Sequence, residues 1–584
     1  MSTPRKRDST KSTLAIGIDF GTTYSGASWL ICKHGVPAGE PEVVTHWLSA
    51  LSRNNDRTKV PSKLYYEKDS GEVKWGYNIP TDVEPIEWFK LLLLDEKDLP
   101  KELKNSSHIE KAREMMNAAN KTPVDLVSDY LKALWDHVIS EIKDAKGTGL
   151  VNGTQFHVAL SVPAIWNDHA RGKMREAAKR AGILDKRIVG DTTLDFISEP
   201  EAAALATLPE LDNRDDLSPG DCFVVLDAGG GTVDIISYKV DELEPMVISE
   251  CVEGEGALCG ATFVDNAFAS FIQNKVGPQS WRRMETTAIR KMMNNEWEHG
   301  IKKDFDGSQT KYTIDLPKKN KRGQLNVLGS DITGIFDGTI SEICDLLQKQ
   351  LDGIESRTQV NPKFVILVGG FGRCQFLFKS LQQRFRDKTD ILQARSDKPW
   401  SAICRGATLS GAMGRGLIKD VVQVKSRVAR MSYGWTFSTV FDENIHNARD
   451  KRWNDVEHIW EADDQMEWAI TRGQDVSTVK PEEYPYYAPF SIKEHGRKEI
   501  VQEICTSKAA YPSSRKDDTV DILSSYSFLT PRPVETLPIE KKYVKQARVW
   551  NHKLRVRVSG AALDITVVDG DEEVTSHSVS IDTK

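Results

Sequence analysis

The sequence predicts a mixed α/β fold made of two similar lobes, followed by a smaller domain rich in β-strands. A strand that ends in a glycine-rich turn occurs twice, with Asp19 and Asp227 at matching positions. Helical stretches such as 124–143 and 168–181 lie between the landmarks, whereas short alternating apolar runs dominate from about residue 420. The repeat indicates two lobes of similar structure, and the mixture of strands and helices indicates an α/β core.

Length and composition are those of a folded protein with several compact units. The 584 residues exceed what one hydrophobic core supports and predict about three or four units. The net charge of −7 creates no field that would attract nucleic acid or acidic membranes, and no run of 18 apolar residues occurs. We therefore expect neither nucleic acid nor a membrane as a partner.

The eight cysteines predict a reducing compartment. They form no C-x-x-C pair and lie mostly inside apolar runs, which indicates buried free thiols. The basic N-terminus lacks the apolar stretch of a secretory signal. We expect a cytoplasmic protein, with the nucleus as a second compartment.

Each of the two matching segments predicts a β-hairpin. The first has strands at 14–20 and 24–30, and the second spans 222–240. Their turns contain Gly21, Thr22 and Thr23 in the first copy and Gly229, Gly230, Gly231 and Thr232 in the second. A third strand at 364–368 is followed by Gly369 and Gly370 and leads into a helix at 375–385.

These turns predict a phosphate site with a magnesium ion. Glycines let backbone N–H groups approach phosphate oxygens because no Cβ intervenes, and the aspartate that ends each preceding strand is a hard oxygen ligand for Mg²⁺. One such turn is equally compatible with ordinary hairpin geometry, but two copies and the third loop together favour phosphate binding. The chain shows neither the P-loop pattern nor a strand-linked G-x-G-x-x-G, and no zinc spacing.

Five segments carry a family resemblance. The run IGIDFGTTYS at 16–25 resembles the first phosphate motif of the seventy-kilodalton heat-shock chaperones, and DAGGGTVD at 227–234 resembles the second. LVGGFGR at 367–373 resembles the adenosine motif, and segments at 161–168 and 197–204 resemble the connecting motifs. Because these motifs follow the family order, the chain is identified as a divergent, lid-lacking member of that family, within the actin-like ATPase superfamily.

The resemblance implies a two-lobed actin-like ATPase with ribonuclease H-like lobes, followed by a smaller β-rich C-terminal domain. The implied divisions are a disordered tail at 1–13, a first lobe at 14–220 with a peripheral subdomain at 48–121, a second lobe at 221–418 with a peripheral subdomain at 261–329, and a substrate-binding-like domain without a helical lid at 419–584. The segment at 420–427 stands where the family has a leucine-rich linker, but its apolar residues here are valines.

The resemblance also implies catalytic and metal-binding roles. Asp19, Asp227 and Asp234 would surround Mg²⁺ and its waters, and Asp227 would also accept the proton of the attacking water. Lys90 would reach the γ-phosphate, although a lysine that lays its stem on apolar surface with its ammonium in water would show the same pattern.

Two further residues would serve the reaction. Glu199 would position the attacking water, and it would equally suit the N-terminus of the following helix, where negative charge is favoured. The Thr232 hydroxyl would lie near the γ-phosphate.

Nucleotide contacts follow from the same motifs. The implied residues are Gly21, Thr22, Thr23, Tyr24, Gly229, Gly230 and Gly231 at the phosphates, and Glu298, Lys302, Gly369, Gly370 and Arg373 at the adenosine. The helix with Glu298 and Lys302 is one position out of the family register, and an ordinary charged helix face would look the same. Trp400 stands where the family has an acidic residue, and Ala261 stands where it has a glycine. The resemblance therefore does not determine the contacts to adenine.

Together these residues imply Mg²⁺-dependent ATP binding and hydrolysis by a chaperone-like protein, with ATP/ADP as nucleotides. Its partners would be unfolded or extended polypeptide clients and co-chaperones. Two alternatives stay open. One is a nucleotide-gated scaffold with little turnover, and the other is a small-molecule kinase of the same fold.

Overall fold

A computed structural model describes residues 12–33, 39–49, 57–80, 82–96, 99, 104, 106–164, 166, 168–211, 217–316, 323–419, 422–477, 480–541, 543–559 and 562–580. The chain divides into two compact units. The first unit comprises Met1–Val247 and Gly254–Gln423, and the second comprises Ile248–Glu253 and Val424–Lys584. Of the tail predicted at 1–13, residues 1–11 lie outside the described part of the chain.

The first unit contains a sheet built around the first hairpin. Its order is β3-β2-β1-β7-β8, with β4 beside β2, while β5 and β6 form a separate hairpin. The strands are β1 (Thr13–Phe20), β2 (Tyr24–Cys32), β3 (Glu42–Val43), β4 (Val60–Pro61), β5 (Leu64–Tyr66), β6 (Val73–Trp75), β7 (Gln155–Val162) and β8 (Thr193–Ser198).

A second sheet of this unit repeats the arrangement. Its strands run in the order β10-β9-β14-β15, which matches β2-β1-β7-β8. In both cases an antiparallel hairpin is followed by two parallel strands. The strands of this sheet are β9 (Cys222–Ala228), β10 (Val233–Leu243), β11 (Met246–Ala257), β14 (Phe364–Val368) and β15 (Asp390–Leu392), with β11 beside β10. β12 (Lys311–Leu316) and β13 (Gly323–Leu328) form a separate two-stranded sheet.

Helices surround these sheets. They are α1 (Ser107–Ala118), α2 (Pro123–Lys146), α3 (Thr148–Asn152), α4 (Asp168–Arg180), α5 (Glu199–Thr207), α6 (Ala261–Val276), α7 (Pro278–Arg282), α8 (Thr286–Met292), α9 (Lys302–Asp304), α10 (Gly329–Thr358), α11 (Gln375–Phe385) and α12 (Lys398–Gly414). A π-helix spans Met293–Ile301, and short 3₁₀ helices span Gly76–Asn78, Phe89–Leu93, Leu208–Leu211 and Phe371–Arg373.

The helix α2 shows how local sequence sets these boundaries. The Thr122 side chain accepts a hydrogen bond from the Asp125 N–H, and the Asp125 carboxylate accepts one from the Thr122 N–H. Pro123 occupies the first turn, where its missing N–H costs nothing. The helix stops at Gly147, whose φ of 89° a residue with a Cβ rarely adopts. Its apolar face, with Leu126, then joins the buried core.

The second unit is built from strands. Its described residues contain two short 3₁₀ helices, Ala448–Asp450 and Val534–Thr536, but no α-helix. One sheet has the order β18-β19-β17-β22-β23, and another has β21-β25-β26-β27 with β24 beside β25. The strands are β16 (Val422–Val428), β17 (Ser432–Val440), β18 (Lys451–Asn454), β19 (Ile459–Ile470), β20 (Asp475–Ser477), β21 (Glu482–Phe490), β22 (Glu499–Ser507), β23 (Asp521–Leu529), β24 (Ile539–Lys541), β25 (Gln546–Ser559), β26 (Ala562–Asp569) and β27 (Glu572–Ser580).

A single core joins these two sheets. It includes Trp435 and Ile504 from the first sheet and Trp550 and Ile565 from the second, all nearly inaccessible to solvent. The segment Ile248–Glu253 groups with this unit although the sequence places it inside the second lobe. One contact that ties this segment to the second unit is a hydrogen bond, which the Glu250 carboxylate accepts from the Val428 N–H at 3.1 Å.

Several predictions can be compared with this fold. The mixed α/β class is confirmed, and all eight cysteines are buried free thiols. Predicted elements recur with ends shifted by a few residues at most; the helix expected at 124–143 spans Pro123–Lys146. Two residues of the segment expected as a linker, 420 and 421, fall outside the described residues, and the remainder belongs to β16. In the part of the chain that the structure describes, no helix is both long and apolar enough to cross a membrane.

Candidate functional site

The two hairpins have matching geometry at their turns. Phe20 pairs with Ser25 in the first hairpin and Ala228 with Val233 in the second, so each turn contains four residues. One position earlier, Asp19 lies opposite Gly26 and Asp227 lies opposite Asp234. The repeat predicted from sequence is therefore present in the strand registers.

The two turns contact each other directly. A Cβ added to Gly230 would lie 1.9 Å from Thr23 Oγ1, and one added to Gly231 would lie 3.1 Å from Thr22 Cγ2. The second turn is also braced from α6, where the Thr262 hydroxyl donates to the Gly230 carbonyl at 2.9 Å. The predicted phosphate-binding residues therefore meet at one place, and only glycine allows this close approach.

The third glycine loop meets the second hairpin. Val368, the last residue of β14, pairs with Asp227 of β9. The next residue, Gly369, has a φ of 87°, and a Cβ there would lie 2.3 Å from Asp227 Oδ1. Gly369 is therefore required both by its backbone conformation and by the adjacent carboxylate.

Asp19 is buried in an ion pair that the sequence did not predict. The Lys59 ammonium donates to Asp19 Oδ2 at 2.5 Å, and the Ser161 hydroxyl donates to Asp19 Oδ1 at 3.2 Å. Burial acts to lower the pKa of Lys59, but the charge and hydrogen bond of Asp19 outweigh it and raise this pKa above its usual value. The Lys59 ammonium is therefore charged.

Lys90 and Glu199 form a second buried pair. The Lys90 ammonium donates to Glu199 Oε1 at 2.8 Å, and the two side chains are 2% and 7% exposed. The ammonium lies 5.3 Å from the ring centre of Trp166, which adds a cation–π contact. The alternative in which this ammonium reaches water is wrong. Burial raises the pKa of Glu199, the Lys90 charge opposes that shift, and the Asp19 charge adds to it.

Asp227 and Asp234 add two further buried carboxylates to this cluster. Burial raises the pKa of Asp227 well above its usual range, and the Glu199 charge adds to the shift. Burial and Glu199 likewise raise the pKa of Asp234 to about 7, although Lys90 acts in the opposite direction. In the absence of a further cation, both carboxyls therefore have an increased tendency to hold a proton.

The residues suit a divalent cation on one side of the cluster. Among the described residues, Asp227 Oδ1 and both carboxylate oxygens of Asp234 have no hydrogen-bond donor. The Thr232 hydroxyl and the Ala164 N–H lie close enough to lower the pKa of Asp234 without reaching hydrogen-bond geometry. Buried acceptors of this kind, beside a phosphate-type turn, fit Mg²⁺ held by one or two carboxylates, waters and phosphate oxygens.

A complete protein-only metal site is absent from the described residues. No three His, Cys, Asp or Glu side chains among them converge on one ion. Both oxygens of Asp19 already have donors within the chain, so the placement of Asp19, Asp227 and Asp234 around Mg²⁺ and its waters stays a prediction. Any magnesium here would take much of its coordination from phosphate and water.

On the predicted adenosine side, Arg373 contacts residues of the chain itself. Its guanidinium pairs with Asp397 at 2.8 Å and lies 5.2 Å from the ring centre of Trp400. The Trp400 ring also meets Tyr24 edge to face, with centroids 5.5 Å apart. Trp400, which replaces an acidic residue of the family pattern, thus connects the first turn with the adenosine loop, and its Nε1 lies 3.2 Å from a Cβ added to Gly370.

Glu298 and Lys302 also meet in space. The Lys302 ammonium donates to Glu298 Oε2 at 2.5 Å and to Asp265 Oδ1 at 2.8 Å. The Trp297 ring N–H donates to the same Asp265 oxygen at 2.7 Å. The charges of Glu298 and Asp265 add to the effect of burial in raising the pKa of Tyr24. The two predicted residues therefore belong to a hydrogen-bonded triad in which Lys302 is buried and Glu298 and Asp265 are partly exposed.

Sequence reasoning missed three side chains of this cluster. Lys59 lies in a short segment without periodicity, and Asp265 lies in a stretch that resembles an ordinary helix. Trp166 lies inside the connecting motif at 161–168, but the resemblance gave it no role. The sequence offered one signal, a lysine directly before the apolar pair Val60–Pro61. Had that lysine been taken as buried, a charged partner would have followed, because charged residues are rarely buried unless they are paired. Its partner could not be identified without the pairing of β4 with β2.

Comparison with known proteins gives one family. The profile of the family described as Hsp70 protein matches residues 105–449. The chain is 22% identical over 513 residues to heat shock 70 kDa protein 12A of Mus musculus, an alignment that covers 72% of this chain and 71% of that protein. The identity to heat shock 70 kDa protein 12A of Homo sapiens is 21% over the same length and coverage.

A shorter alignment relates the chain to mitochondrial-type heat shock protein 70 of Encephalitozoon hellem. It shows 28% identity over 309 residues and covers 51% of this chain and 47% of that protein. The first hairpin, with Asp19, and the segment with Lys90 lie outside residues 105–449. The agreement of the two hairpins in register is thus an observation separate from the profile match.

Proposed function

Because the chain belongs to the Hsp70 family, we propose that it binds ATP at the two matched turns and hydrolyses it with Mg²⁺. ATP binding and a chaperone-like role follow coarsely from family membership. Beyond family membership, we propose which residues bind the nucleotide and that ATP is hydrolysed. We also propose that the nucleotide state is coupled to the β-rich unit, which would hold extended polypeptide clients. Co-chaperones are proposed as further partners on the same basis.

One observation carries the proposal. Two glycine turns of equal length meet where four buried carboxylates, those of Asp19, Glu199, Asp227 and Asp234, lie beside two ammonium groups that are buried among the described residues, Lys59 and Lys90. Burying unbalanced charge is costly, and a structural core would gain more from apolar residues. A site for a nucleotide phosphate and a divalent cation explains both the glycines and the surplus negative charge.

Positioning and charge stabilisation are the proposed catalytic work of this chain. Phosphoryl transfer needs little covalent chemistry from the protein. Backbone N–H groups of Gly230 and Gly231 and the hydroxyls of Thr23 and Thr232 would bind phosphate oxygens, whereas the Gly229 N–H already donates to the Thr232 carbonyl at 2.9 Å. Lys90 would neutralise charge that develops on the γ-phosphate. When bound, Mg²⁺ would supply further charge neutralisation at the phosphates.

Glu199 and Asp227 would act on the attacking water. Glu199 is the first residue of α5 and is fixed by Lys90, so its free oxygen can orient a water without side-chain reorganisation. Asp227, whose pKa is raised by burial, would accept the proton. Asp234 would hold magnesium-bound water, since both its oxygens lack donors among the described residues.

The adenosine site is proposed around Gly369, Gly370 and Arg373. The guanidinium that lies over Trp400 offers a planar cation against which a purine would stack. Glu298 and Lys302 would contact the ribose and base from their triad with Asp265. The two-lobed actin-like arrangement belongs to the same proposal, supported by the repeated strand order of the two sheets.

Calorimetry and phosphate release test the site together. We expect ATP binding and steady-state phosphate release by the parent, and a loss of about 10²-fold in release for Asp227→Asn. Asp136→Asn on the exposed face of α2 is the matched control, because its carboxylate contacts only Lys132 at the surface. Equal phosphate release by parent and Asp227→Asn would show that the catalytic assignment is wrong.

A nucleotide-gated scaffold is the second candidate. Both Asp19 oxygens are occupied by donors of the chain, and Trp400 contacts the arginine proposed to stack on the base. These contacts favour binding over turnover. Tight ATP binding without phosphate release would identify the scaffold, whereas ADP production that depends on an added metabolite would identify a small-molecule kinase.

The cytoplasm, with the nucleus as a second compartment, is retained as the proposed location. Eight buried free thiols are typical of a reducing environment. Fluorescence microscopy of the tagged full chain tests this directly, and targeting to an oxidising compartment would contradict it.

A further inference from the structure

We propose that Lys59 is a built-in counter-ion of the nucleotide cleft, which allows nucleotide to bind with little help from Mg²⁺. This inference rests on the proposed ATP site and concerns how its negative charge is balanced. The family resemblance assigned no role to Lys59, and the segment around it carries none of the phosphate or adenosine motifs.

The β4 strand fixes the position of Lys59. Val60, the first residue of β4, pairs with Ser25 of β2, so Lys59 lies beside the first turn. Its ammonium is 2.5 Å from Asp19 Oδ2, and its side chain is 7% exposed. The Ser161 hydroxyl donates a hydrogen bond to the other carboxylate oxygen, Asp19 Oδ1. Asp19 therefore has a fixed cationic partner within the chain.

The missing side chain at Gly26 makes room for this lysine. Gly26 lies opposite Asp19 in the β1–β2 register, and a Cβ there would lie 3.1 Å from Lys59 Cγ and 3.6 Å from Lys59 Cε. The matching residue of the second hairpin is Asp234, opposite Asp227. At the position where the second hairpin has the Asp234 carboxylate, the first hairpin has Gly26, and the Lys59 side chain lies beside it.

This difference makes the cleft electrostatically asymmetric. On the first hairpin the negative charge of Asp19 is balanced by Lys59, and on the second Asp227 Oδ1 and both Asp234 oxygens lack donors among the described residues. A nucleotide phosphate approaching the first turn therefore meets a neutral pair instead of a bare carboxylate. Like charges at short distance in a low-dielectric site repel strongly, so Lys59 removes a repulsion that Mg²⁺ would otherwise have to screen.

The parent protein provides the first test. ATP affinity is measured by calorimetry in EDTA and in excess MgCl₂. We expect the two dissociation constants to agree within about tenfold, which corresponds to about 1.4 kcal/mol of binding free energy. Loss of measurable ATP binding in EDTA, with normal binding in Mg²⁺, would overturn the inference.

The variant Lys59→Met supplies a second test. It leaves Asp19 as a buried carboxylate without its cation, so we expect a lower Tm in EDTA that rises when MgCl₂ is added without nucleotide. Lys63→Met is the matched control, because Lys63 lies four residues away and pairs with Glu87 near the surface. We expect the Tm values of the parent and of Lys63→Met to be insensitive to Mg²⁺.

The outcomes separate this inference from the proposed function. A Tm of Lys59→Met that stays low in Mg²⁺ would mean a purely structural ion pair and contradict the counter-ion role. If the variant does not fold, the comparison of EDTA and Mg²⁺ in the parent decides alone. Absence of ATP binding in both conditions would contradict the ATP site itself, while the Tm recovery still measures whether Lys59 substitutes for a cation.

Discussion

At the scale of single residues, the candidate site contains charged side chains that are buried and paired. Lys59 with Asp19 and Lys90 with Glu199 are nearly inaccessible to solvent. Pairs of this kind contribute little to stability compared with apolar packing, but removal of one partner leaves an uncompensated charge. Such pairs therefore indicate a functional site more than a structural device.

We predict that Lys90→Met lowers the free energy of unfolding by about 3–5 kcal/mol near pH 8, because Glu199 would be left charged and buried. The loss should shrink as the pH falls. Without Lys90 the folded-state pKa of Glu199 rises further above its unfolded value of about 4.3. Protonation then favours the folded state at low pH, and that contribution is lost as pH rises through the folded pKa. Denaturant unfolding at several pH values measures this dependence.

Two variants control that experiment. Lys132→Met removes an exposed partner of Asp136 on α2 and should cost no more than about 1 kcal/mol at any pH. Adding Glu199→Gln to Lys90→Met should recover much of the loss at pH 8, because the charge is removed. A pH-independent loss, or one as small as that of the surface control, would contradict the burial of an unpaired carboxylate.

At the scale of elements, the glycine-rich hairpins were predictable and their contacts were not. Asp19, Asp227 and the turn glycines follow from residue type and spacing, since a turn that approaches phosphate requires glycine. Lys59 and Asp265 depend on which strands and helices meet across the unit, as in the pairing of β4 with β2. Local sequence carries no information about such distant partners.

The charged helix segment shows the same limit. Glu298 and Lys302 were expected on pattern grounds, but an ordinary solvated face would have the same spacing. Only the fold shows that Asp265 of α6 accepts from Lys302 at 2.8 Å and that Trp297 is fully buried beside it. Spacing predicts that two side chains share a helix face, and tertiary packing decides whether that face is buried.

We predict that Gly230→Ala separates the two turns. The added methyl group would overlap Thr23 Oγ1, 1.9 Å from the ideal Cβ position, so a turn must move. We expect a loss of about 1–3 kcal/mol in the free energy of unfolding, as for other overpacked sites. ATP affinity should fall by at least about tenfold, which corresponds to 1.4 kcal/mol. Denaturant unfolding and calorimetry measure the two effects.

Gly172→Ala is the matched control for this substitution. Gly172 lies in α4 with nothing within 4 Å of the added Cβ, so the change should stabilise the helix by about 0.5–1 kcal/mol and leave ATP affinity unchanged. If Gly230→Ala behaves like the control, the two turns do not meet in solution as they do in the structure.

At the scale of the whole molecule, the chain combines an α/β unit that contains the candidate site with a separate unit made of strands. Each has its own buried core. A ligand that binds one unit stabilises that unit by an amount set by its concentration and dissociation constant. Any effect on the other unit must come through coupling between them. The proposed chaperone-like function requires such coupling, whereas ATP binding alone does not.

We predict that saturating ATP protects both units against hydrogen exchange. At a hundredfold excess over the dissociation constant, binding adds about 2.7 kcal/mol to the stability of the unit that binds. Amides of β1 and β9 should therefore exchange more slowly, and amides of β17 and β25 should change as well if nucleotide state reaches the strand-built unit. Hydrogen exchange followed by mass spectrometry resolves these peptides, with Gly230→Ala, whose ATP affinity is expected to be lower, as the control for site occupancy. Protection confined to the first unit would leave an ATP-binding protein without transmission to its β-rich part, because a ligand shifts only those equilibria for which it has differential affinity.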